Sequence, residues 1–444
     1  MEKILRAVKK IIPQKLFLSF RPIYHFLLSF FSALIYGFAS RRLRVIGVTG
    51  TQGKTTTVEI LHRILQGSGF KTASVSSLYF KIGETSTLNN FKMTMPGRFF
   101  IQKFLKDALG NECKYAVLEV TSEGIKQFRH RFIKFDVAVM TNVAPEHIES
   151  HENFEKYLRA KLDLFSRLKK DGVAIINSDD PNSSRFSAAT PSQKIFYGKG
   201  GITFGDKKYK ISDLEMSSER IRFDINGREI NSLLRGEFNF YNLLASLSAG
   251  LAEHISLERM SGSILDVSGI PGRLEFVQKE PFVVVVDYAH TPDSLKNVYT
   301  FLRESNPKPS SEARLARGGE IRNSKLICIL GSAGGGRDKW KRPEMGKIAS
   351  EFCSHVIITN EDPYDENPRS IMEEIRNGTE LGNASYEIIE DRRIAIRDAL
   401  LQARPGDIAV ITGKGAEQWI MGPNGRKTEW DDRKVVREEL KKIK

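Results

Sequence analysis

The stretch VIGVTGTQGKTTTVEILHRIL, residues 45–65, decides the fold. A β-branched run ends at Thr49, and Gly50-Thr51-Gln52-Gly53 turns the chain into Lys54, three threonines and an apolar pattern of helical spacing. Strand, glycine turn, lysine and helix in that order make a phosphate cradle. Backbone N–H groups of the turn and the helix N-terminus favour an anion, and the two glycines allow the backbone to approach it. Lys54 can reach outer phosphates, and the Thr55 hydroxyl can bind magnesium. The strict P-loop spacing is not met, because Val48 stands where that pattern wants a glycine. The physics still holds, so Gly50, Thr51, Gln52, Gly53, Lys54, Thr55 and Thr56 are the expected nucleotide-binding loop. Taken alone, the loop does not choose among ATP-using enzymes.

Outward from this loop, apolar strand-like runs (YAVLEV, FDVAVMTN, GVAIINSDD) alternate with helical stretches. That alternation predicts a parallel, doubly wound sheet. The polar stretch 201–230 reads as short antiparallel strands at a sheet edge. A second alternating series, with FVVVVDYAH, KLICILGS, SHVIITNED and DIAVITGKG, begins near Pro271. The expected architecture is α/β: a central P-loop ATPase domain with a mostly parallel sheet over residues 43–272, and a C-terminal Rossmann-like α/β domain over 273–444. The Pro/Gly/Ser-rich stretch 304–325 reads as an exposed loop.

Composition bounds the partners. Length 444 with 40% hydrophobic and 27% charged residues suits two or three globular domains. A net charge of +14 suggests anionic partners such as nucleotides, sugar phosphates or an anionic membrane face. No helicase-like motif series and no aromatic-basic platform is present, so nucleic acid is not an expected partner. The three cysteines form no CxxC pair, which argues against a disulfide framework or a zinc ribbon; Cys328 and Cys353 read as core thiols in a reducing cytosol. Residues 1–42 are oily and basic, apolar from Leu16 to Phe38 but broken by Arg21, Pro22 and His25. Three readings stay open: an interfacial helix or hairpin on the cytoplasmic membrane face, a helix on the protein's own body, or a membrane span.

The next motifs narrow the chemistry. LEVTSEGI places Glu119 and Thr121 at a strand end, where ligand sites of such sheets gather. The run TNVAPEHIESHENFEKYLRAKLDLF brings His147 and Lys161. The ordered set GVTGTQGKTTT, EVTSEGI, TNVAPEHIESHENFEKYLRAKLDLF, GEFNFYNLLAS, GRLE, VVDYAHTPDSL, GSAGGGRDKWKRPEMG and GKGAE resembles the Mur ligases, ATP-dependent amide-bond enzymes of peptidoglycan assembly. Within them it is most similar to the UDP-N-acetylmuramoyl-tripeptide synthetases, over about residues 43–444.

The resemblance implies ATP and Mg2+ as cofactors, with Thr55 and Glu119 holding one magnesium and His147 and a carbamylated Lys161 serving a second. Carbamylation would turn a cationic amine into an oxygen ligand suited to a hard cation. It further implies that Thr94, Thr121, Gln127 and Arg129 contact the UDP-muramoyl-peptide-like acceptor. Asn239, Asn242, Arg273, Asp287, His290 and Lys414 are assigned to the nucleotide, and Arg337, Asp362, Tyr364, Gly413 and Glu417 to the incoming amino acid. The implied reaction makes an acyl phosphate from the acceptor carboxylate and ATP, which the amine then attacks. The implied protein is a cytoplasmic monomer, with residues 1–42 as a candidate contact with the inner membrane face. Non-catalytic nucleotide binding is disfavoured because Lys54, Glu119, His147 and Lys161 are all retained.

Departures from the family pattern are informative. Gln52 replaces an asparagine, and Ala416 a histidine. Where diaminopimelate-adding enzymes carry Asp-Asn-Pro-Arg, this chain has Glu361, Asp362, Pro363 and Tyr364. Acidic Glu361, Asp362 and Glu417 without that arginine favour a side-chain ammonium, hence L-lysine over meso-diaminopimelate. The oily 1–42 segment stands where the family has a UDP-binding domain, so an acceptor without UDP, or a lipid-linked one, is the alternative.

Overall fold

The computed structural model describes residues 14–91, 93–305 and 324–443. Most of the loop expected over 304–325 lies outside the described residues. The chain divides into two units, the first made of Met1–Val143, Leu158–Lys210 and Leu243–Ser263, the second of Ala144–Tyr157, Ile211–Asn242 and Ile264–Lys444.

In the first unit the oily N-terminal run forms α1 (Gln14–Ile35), with Pro22 inside it. The β-branched run before Gly50 forms β1 (Arg44–Thr49) and the threonine-rich run forms α2 (Lys54–Gly67). Then come β2 (Thr72–Val75), β3 (Tyr79–Ile82), β4 (Thr85–Leu88), α3 (Arg98–Gly110), β5 (Tyr115–Glu119), α4 (Ser122–Lys126) and β6 (Phe135–Met140). After α5 (Ile148–His151), which belongs to the second unit, and α6 (Phe154–Ser166), β7 (Leu168–Asn177), β8 (Gln193–Gly198), β9 (Gly201–Phe204) and β10 (Lys207–Tyr209) complete one sheet. Its ten strands run in the order β10-β9-β8-β7-β6-β1-β5-β2-β3-β4. The six strands from β8 to β2 are parallel, and an antiparallel hairpin extends each edge. β1 lies at the middle, buried on both faces, which is why its sequence is a continuous apolar run rather than an alternating one.

Only part of the stretch 201–230 joins that edge. β9 and β10 do, but β11 (Ile211–Met216), β12 (Ile221–Ile225) and β13 (Arg228–Ser232) form a separate three-stranded antiparallel sheet in the second unit. The reason is burial. Ile221, Phe223, Ile225 and Ile230 supply an apolar face of their own, and Phe223 packs edge-on against Phe240.

The rest of the second unit is a six-stranded sheet made from β14 (Glu275–Gln278), β15 (Val283–Val286), β16 (Leu326–Leu330), β17 (His355–Ile358), β18 (Ser385–Ile388) and β19 (Ile408–Ile411). Its order is β14-β15-β19-β16-β17-β18, parallel except for the β14 edge, and a small hairpin, β20 (Trp419–Met421) and β21 (Lys427–Glu429), follows. Alternate residues serve opposite faces. Cys328, Leu330, Val356 and Val410 pack under the helices Pro292–Glu304, Lys341–Phe352 and Pro368–Thr379, while Ile327, Ile329, Ile357 and Ala409 pack under Arg392–Gln402 and Asp432–Ile443.

One cysteine reading is corrected here. Cys328 and Cys353 are buried as expected, but they are joined in a disulfide with Cα atoms 6.0 Å apart. The helix Lys341–Phe352 runs back over the sheet and delivers Cys353 onto β16, a juxtaposition that a separation of 25 residues does not announce. The span reading of residues 1–42 is also corrected for the described part, since no helix there is long and apolar enough to cross a membrane.

His62, on α2 beneath the phosphate cradle, is buried, and burial lowers its pKa from 6.5 to about 3, with Lys81 and Arg63 adding to the effect. Below pH 6.5 the unfolded chain therefore takes up a proton that the folded chain refuses, so stability falls with pH until about pH 3. Between pH 7 and pH 4 this one group should remove on the order of 3 kcal/mol. Urea unfolding at the two pH values should show that loss shrinking in His62→Gln.

Candidate active site

In the first unit the cradle is built by backbone geometry. Gly50 has φ +153°, and a Cβ there would meet Thr141 Oγ1 at 1.9 Å. Gly53 has φ 79° and caps α2 with no side-chain hydrogen bond, which leaves the first-turn N–H donors to an anion. The end of β6 clasps the turn. Asn142 O accepts from Thr51 N (2.8 Å), Asn142 Oδ1 from Gln52 N (2.9 Å), and Thr141 Oγ1 donates to Gln52 O (2.6 Å). At the departure from the family's asparagine, it is thus the main chain of Gln52 that the clasp grips. Lys54 Nζ lies over the turn, donating to Thr51 O at 2.7 Å.

At the head of α2 the Thr55 hydroxyl donates to Glu119 Oε2 at 2.9 Å, and both groups are buried. Glu119 also accepts from Ser77 N at 2.9 Å and Ser77 Oγ at 3.2 Å, and Ser77 Oγ lies 2.8 Å from Thr94 Oγ1. A bonded line therefore runs Thr55–Glu119–Ser77–Thr94, from the cradle to a residue assigned to the acceptor. Ser77 had no motif to mark it. A hydroxyl and a carboxylate at this spacing fit magnesium, which typically takes one or two protein oxygens and completes its shell with phosphate and water. Among the described residues no group of three or more His, Cys, Asp or Glu forms an all-protein metal cage.

Lys161, on α6, is buried with 1% exposure, and its Nζ donates to Gly50 O at 2.6 Å. A lysine amine is thus delivered to the cradle's first glycine. Near the other acceptor residues, Thr121 caps α4 by accepting from Gly124 N, and Arg129 donates to Gln127 Oε1 at 2.7 Å and to Met95 O. Burial lowers the Arg129 pKa, with Glu123 opposing.

In the second unit His147 begins α5 at φ 56°. Its neighbour Glu146 is a hub that sequence reading passed over, although it adjoins His147 in the quoted motif. Glu146 Oε1 lies 3.8 Å from His147 Nε2 and 3.3 Å from His290 Nε2. His290 is held by its Nδ1 on Tyr288 O at 2.7 Å, and Lys341 Nζ donates to His290 O at 2.9 Å. Burial lowers the Lys341 pKa. Asp287 accepts from Leu274 N and Ala289 N, both at 2.6 Å, and burial raises its pKa. Arg273 lies over the Tyr288 ring, 4.0 Å from its centroid, and the Tyr288 hydroxyl reaches Glu417 at 3.4 Å. Asn239 and Asn242 are buried and bonded to each other at 3.0 Å.

Lys414, assigned to the nucleotide, sits among residues assigned to the amino acid. Its fully buried Nζ is 2.9 Å from Asp362 Oδ1 and 2.6 Å from Glu417 Oε2. Burial opposes the charge, yet these carboxylates hold its pKa above the ordinary lysine value. Beside them Glu361 is buried, with Oε2 lacking a hydrogen-bond partner among the described residues. Gly413 gives it room, for a Cβ there would meet Glu361 Oε2 at 2.5 Å. Tyr364, at φ 52°, hydrogen-bonds Arg337 and rests against Gly335, where a Cβ would lie 2.7 Å from its ring. Arg369 pairs with Glu373 at 3.3 Å.

Comparison with known proteins matches two families on this chain. Residues 48–250 match the Mur ligase middle domain, and residues 272–415 match the Mur ligase glutamate ligase domain. A UDP-N-acetylmuramoyl-L-alanyl-D-glutamate–2,6-diaminopimelate ligase of Syntrophomonas wolfei is 38% identical over 93% of this chain and 81% of its own. A UDP-N-acetylmuramyl-tripeptide synthetase of Roseiflexus sp. is 35% identical over 88% of this chain and 77% of its own. A solved diaminopimelate ligase of the same kind superposes with TM-score 0.58 at 29% identity, over 90% of this chain and 79% of that one. Folylpolyglutamate synthase of Mycobacterium tuberculosis, at 16% identity and TM-score 0.67, shares the fold over 86% of this chain and 91% of its own.

Proposed function

The chain belongs to the Mur ligase family, and from that premise we propose that it is a tripeptide synthetase that joins a diamino acid to a UDP-muramoyl-dipeptide-like acceptor at the expense of ATP. The observation that carries this reading is the bonded line Thr55–Glu119–Ser77–Thr94, because an acyl phosphate forms only where the γ-phosphate and the acceptor carboxylate meet. The acceptor carboxylate attacks the γ-phosphorus in line, and ADP leaves. Lys54 and the α2 N-terminus offset charge on the phosphates, mostly by positioning. Magnesium, when held by Thr55 and Glu119, supplies charge neutralisation at the transferring phosphoryl group. The amine of the incoming amino acid then attacks the acyl carbon, and inorganic phosphate departs. Glu146, flanked by His147 and His290, offers a carboxylate–imidazole pair that can take the proton the amine must lose.

The charge of the second unit supports an amino acid with a side-chain ammonium. Lys414 faces Asp362 and Glu417, and Glu361 beside them has an oxygen without a hydrogen-bond partner among the described residues, an acceptor open to an ammonium even with Lys341 and Arg392 nearby. Within the diamino acids two readings compete. L-Lysine is favoured because Tyr364 stands where an arginine would read a second carboxylate, and because Arg369 is paired with Glu373. meso-Diaminopimelate is favoured by the name of the Syntrophomonas relative.

The test is phosphate release and product mass over a panel of UDP-muramoyl dipeptide with L-lysine, meso-diaminopimelate, ornithine and alanine. Turnover should require both acceptor and a diamino acid, and the product mass identifies which. No ligation with any UDP-linked acceptor would overturn the proposal. The substrates are small molecules of the cytoplasm.

A further inference from the structure

Helix α1 turns its apolar side the wrong way for a helix of a water-soluble body. Its small residues Ser29, Ser32 and Ala33 are buried, while Ile23, Tyr24, Phe26, Leu27, Phe30, Phe31, Leu34 and Ile35 are each between 36% and 61% exposed. Ile23, Leu27, Phe30 and Leu34 follow the i, i+4, i+7, i+11 spacing of one continuous stripe. No acidic residue occurs anywhere in α1. Arg41 and Arg42 are exposed just beyond its C-terminal end, and Lys106 is exposed on α3, against which α1 packs, beside Lys103, which pairs with Asp107 at 2.6 Å.

The helix is tied to the protein by polar bonds and by only the flank of its oily face that carries Phe26 and Phe30. Ser29 Oγ donates to Phe128 O at 2.7 Å, and Arg98 on α3 joins His25 Nδ1 at 2.5 Å to Gln127 O at 2.6 Å. The rings of Phe26 and Phe30 flank Phe132. The segment 127–132 that receives these bonds is the one carrying Gln127 and Arg129, the residues assigned to the acceptor.

We infer that α1 is a docking helix for an anionic bilayer surface, and that it brings the acceptor segment 127–132 to that surface. An exposed apolar stripe of this size marks an interaction site. A helix broken by Arg21, Pro22 and His25, apolar on its outer side and flanked by cations, lies in the headgroup region with its apolar residues in the acyl boundary. Lipid phosphates complement Arg41, Arg42 and Lys106. A second copy of the chain would instead set one basic rim against another, each on a body of charge +14. The docking does not depend on the ligase reading; only its consequence, an acceptor met at the membrane surface, rests on it.

The test is co-flotation of the whole protein with vesicles of phosphatidylglycerol in phosphatidylcholine, against phosphatidylcholine alone, at low and high salt, beside sedimentation without lipid. Wild-type protein should float with the anionic vesicles and be released by salt. Leu27→Gln/Phe31→Gln/Leu34→Gln should reduce flotation about tenfold or more while keeping wild-type thermal unfolding. Arg41→Gln/Arg42→Gln should weaken flotation and its salt dependence. The proposal is overturned if wild-type protein stays unbound, if the triple variant floats equally well, or if sedimentation shows a dimer that the triple variant dissolves. Flotation needs no turnover, so its failure is separate from any failure of ligation.

Discussion

Lys161→Ala should abolish measurable ligation, with a drop beyond the ~10–100-fold that follows loss of an outer partner of a metal site, and acetate or formate should restore part of it. The site explains both halves. Lys161 is buried to 1% exposure against the carbonyl of Gly50, so its truncation opens a polar gap beside the cradle. If the working residue is the carbamate, the missing function is a carboxylate oxygen, and a small carboxylic acid can diffuse into that gap and supply one. Lys161→Arg should not restore activity, because a guanidinium keeps the positive charge and gives no oxygen. Rates from product formation, with and without added carboxylate, decide the matter. Full activity in Lys161→Ala would refute the ligand role, and loss without any rescue would point to a purely structural amine.

Glu119→Ala should cost about as much, at least ~100-fold in kcat/KM by the scale of lost electrostatic stabilisation. Glu119 draws together Thr55, the Ser77 amide and the Ser77 hydroxyl, and its removal takes a shared acceptor from all three. Glu119→Gln separates the effects. The amide keeps an acceptor oxygen for Ser77 but loses the charge. Its magnesium dependence should move to much higher concentration while the fold, read by thermal unfolding, is kept. A variant with unchanged magnesium dependence would show that the carboxylate is not a metal ligand.

Legibility in the sequence followed how local each feature is. The cradle was readable because strand, glycine turn and helix are contiguous, and each residue's conformational need is written beside it. The parallel sheets were readable from uninterrupted β-branched runs such as Val283–Val286, which burial on both faces demands. What escaped depends on distant partners. Ser77 matters because β2 and β5 are neighbours in the sheet, and nothing near Ser77 says so. Lys414 is the lysine of GKGAE and close in sequence to Glu417, but its other carboxylate, Asp362, comes from the loop after β17. The three-stranded sheet of 211–232 looked like an edge because strand patterns do not name their partners. The pairing of Cys328 with Cys353 escaped for the same reason.

That pairing has a mechanical consequence. Between the two cysteines the chain leaves β16, makes the glycine-rich bend that carries Arg337 and Asp338, and returns along the helix Lys341–Phe352. The bend is therefore a bow whose two limbs are lashed together within the frame, at β16 and at the far end of the returning helix. Flexing of the segment assigned to the incoming amino acid is confined to the arc itself, and the helix behind it is anchored at its tail.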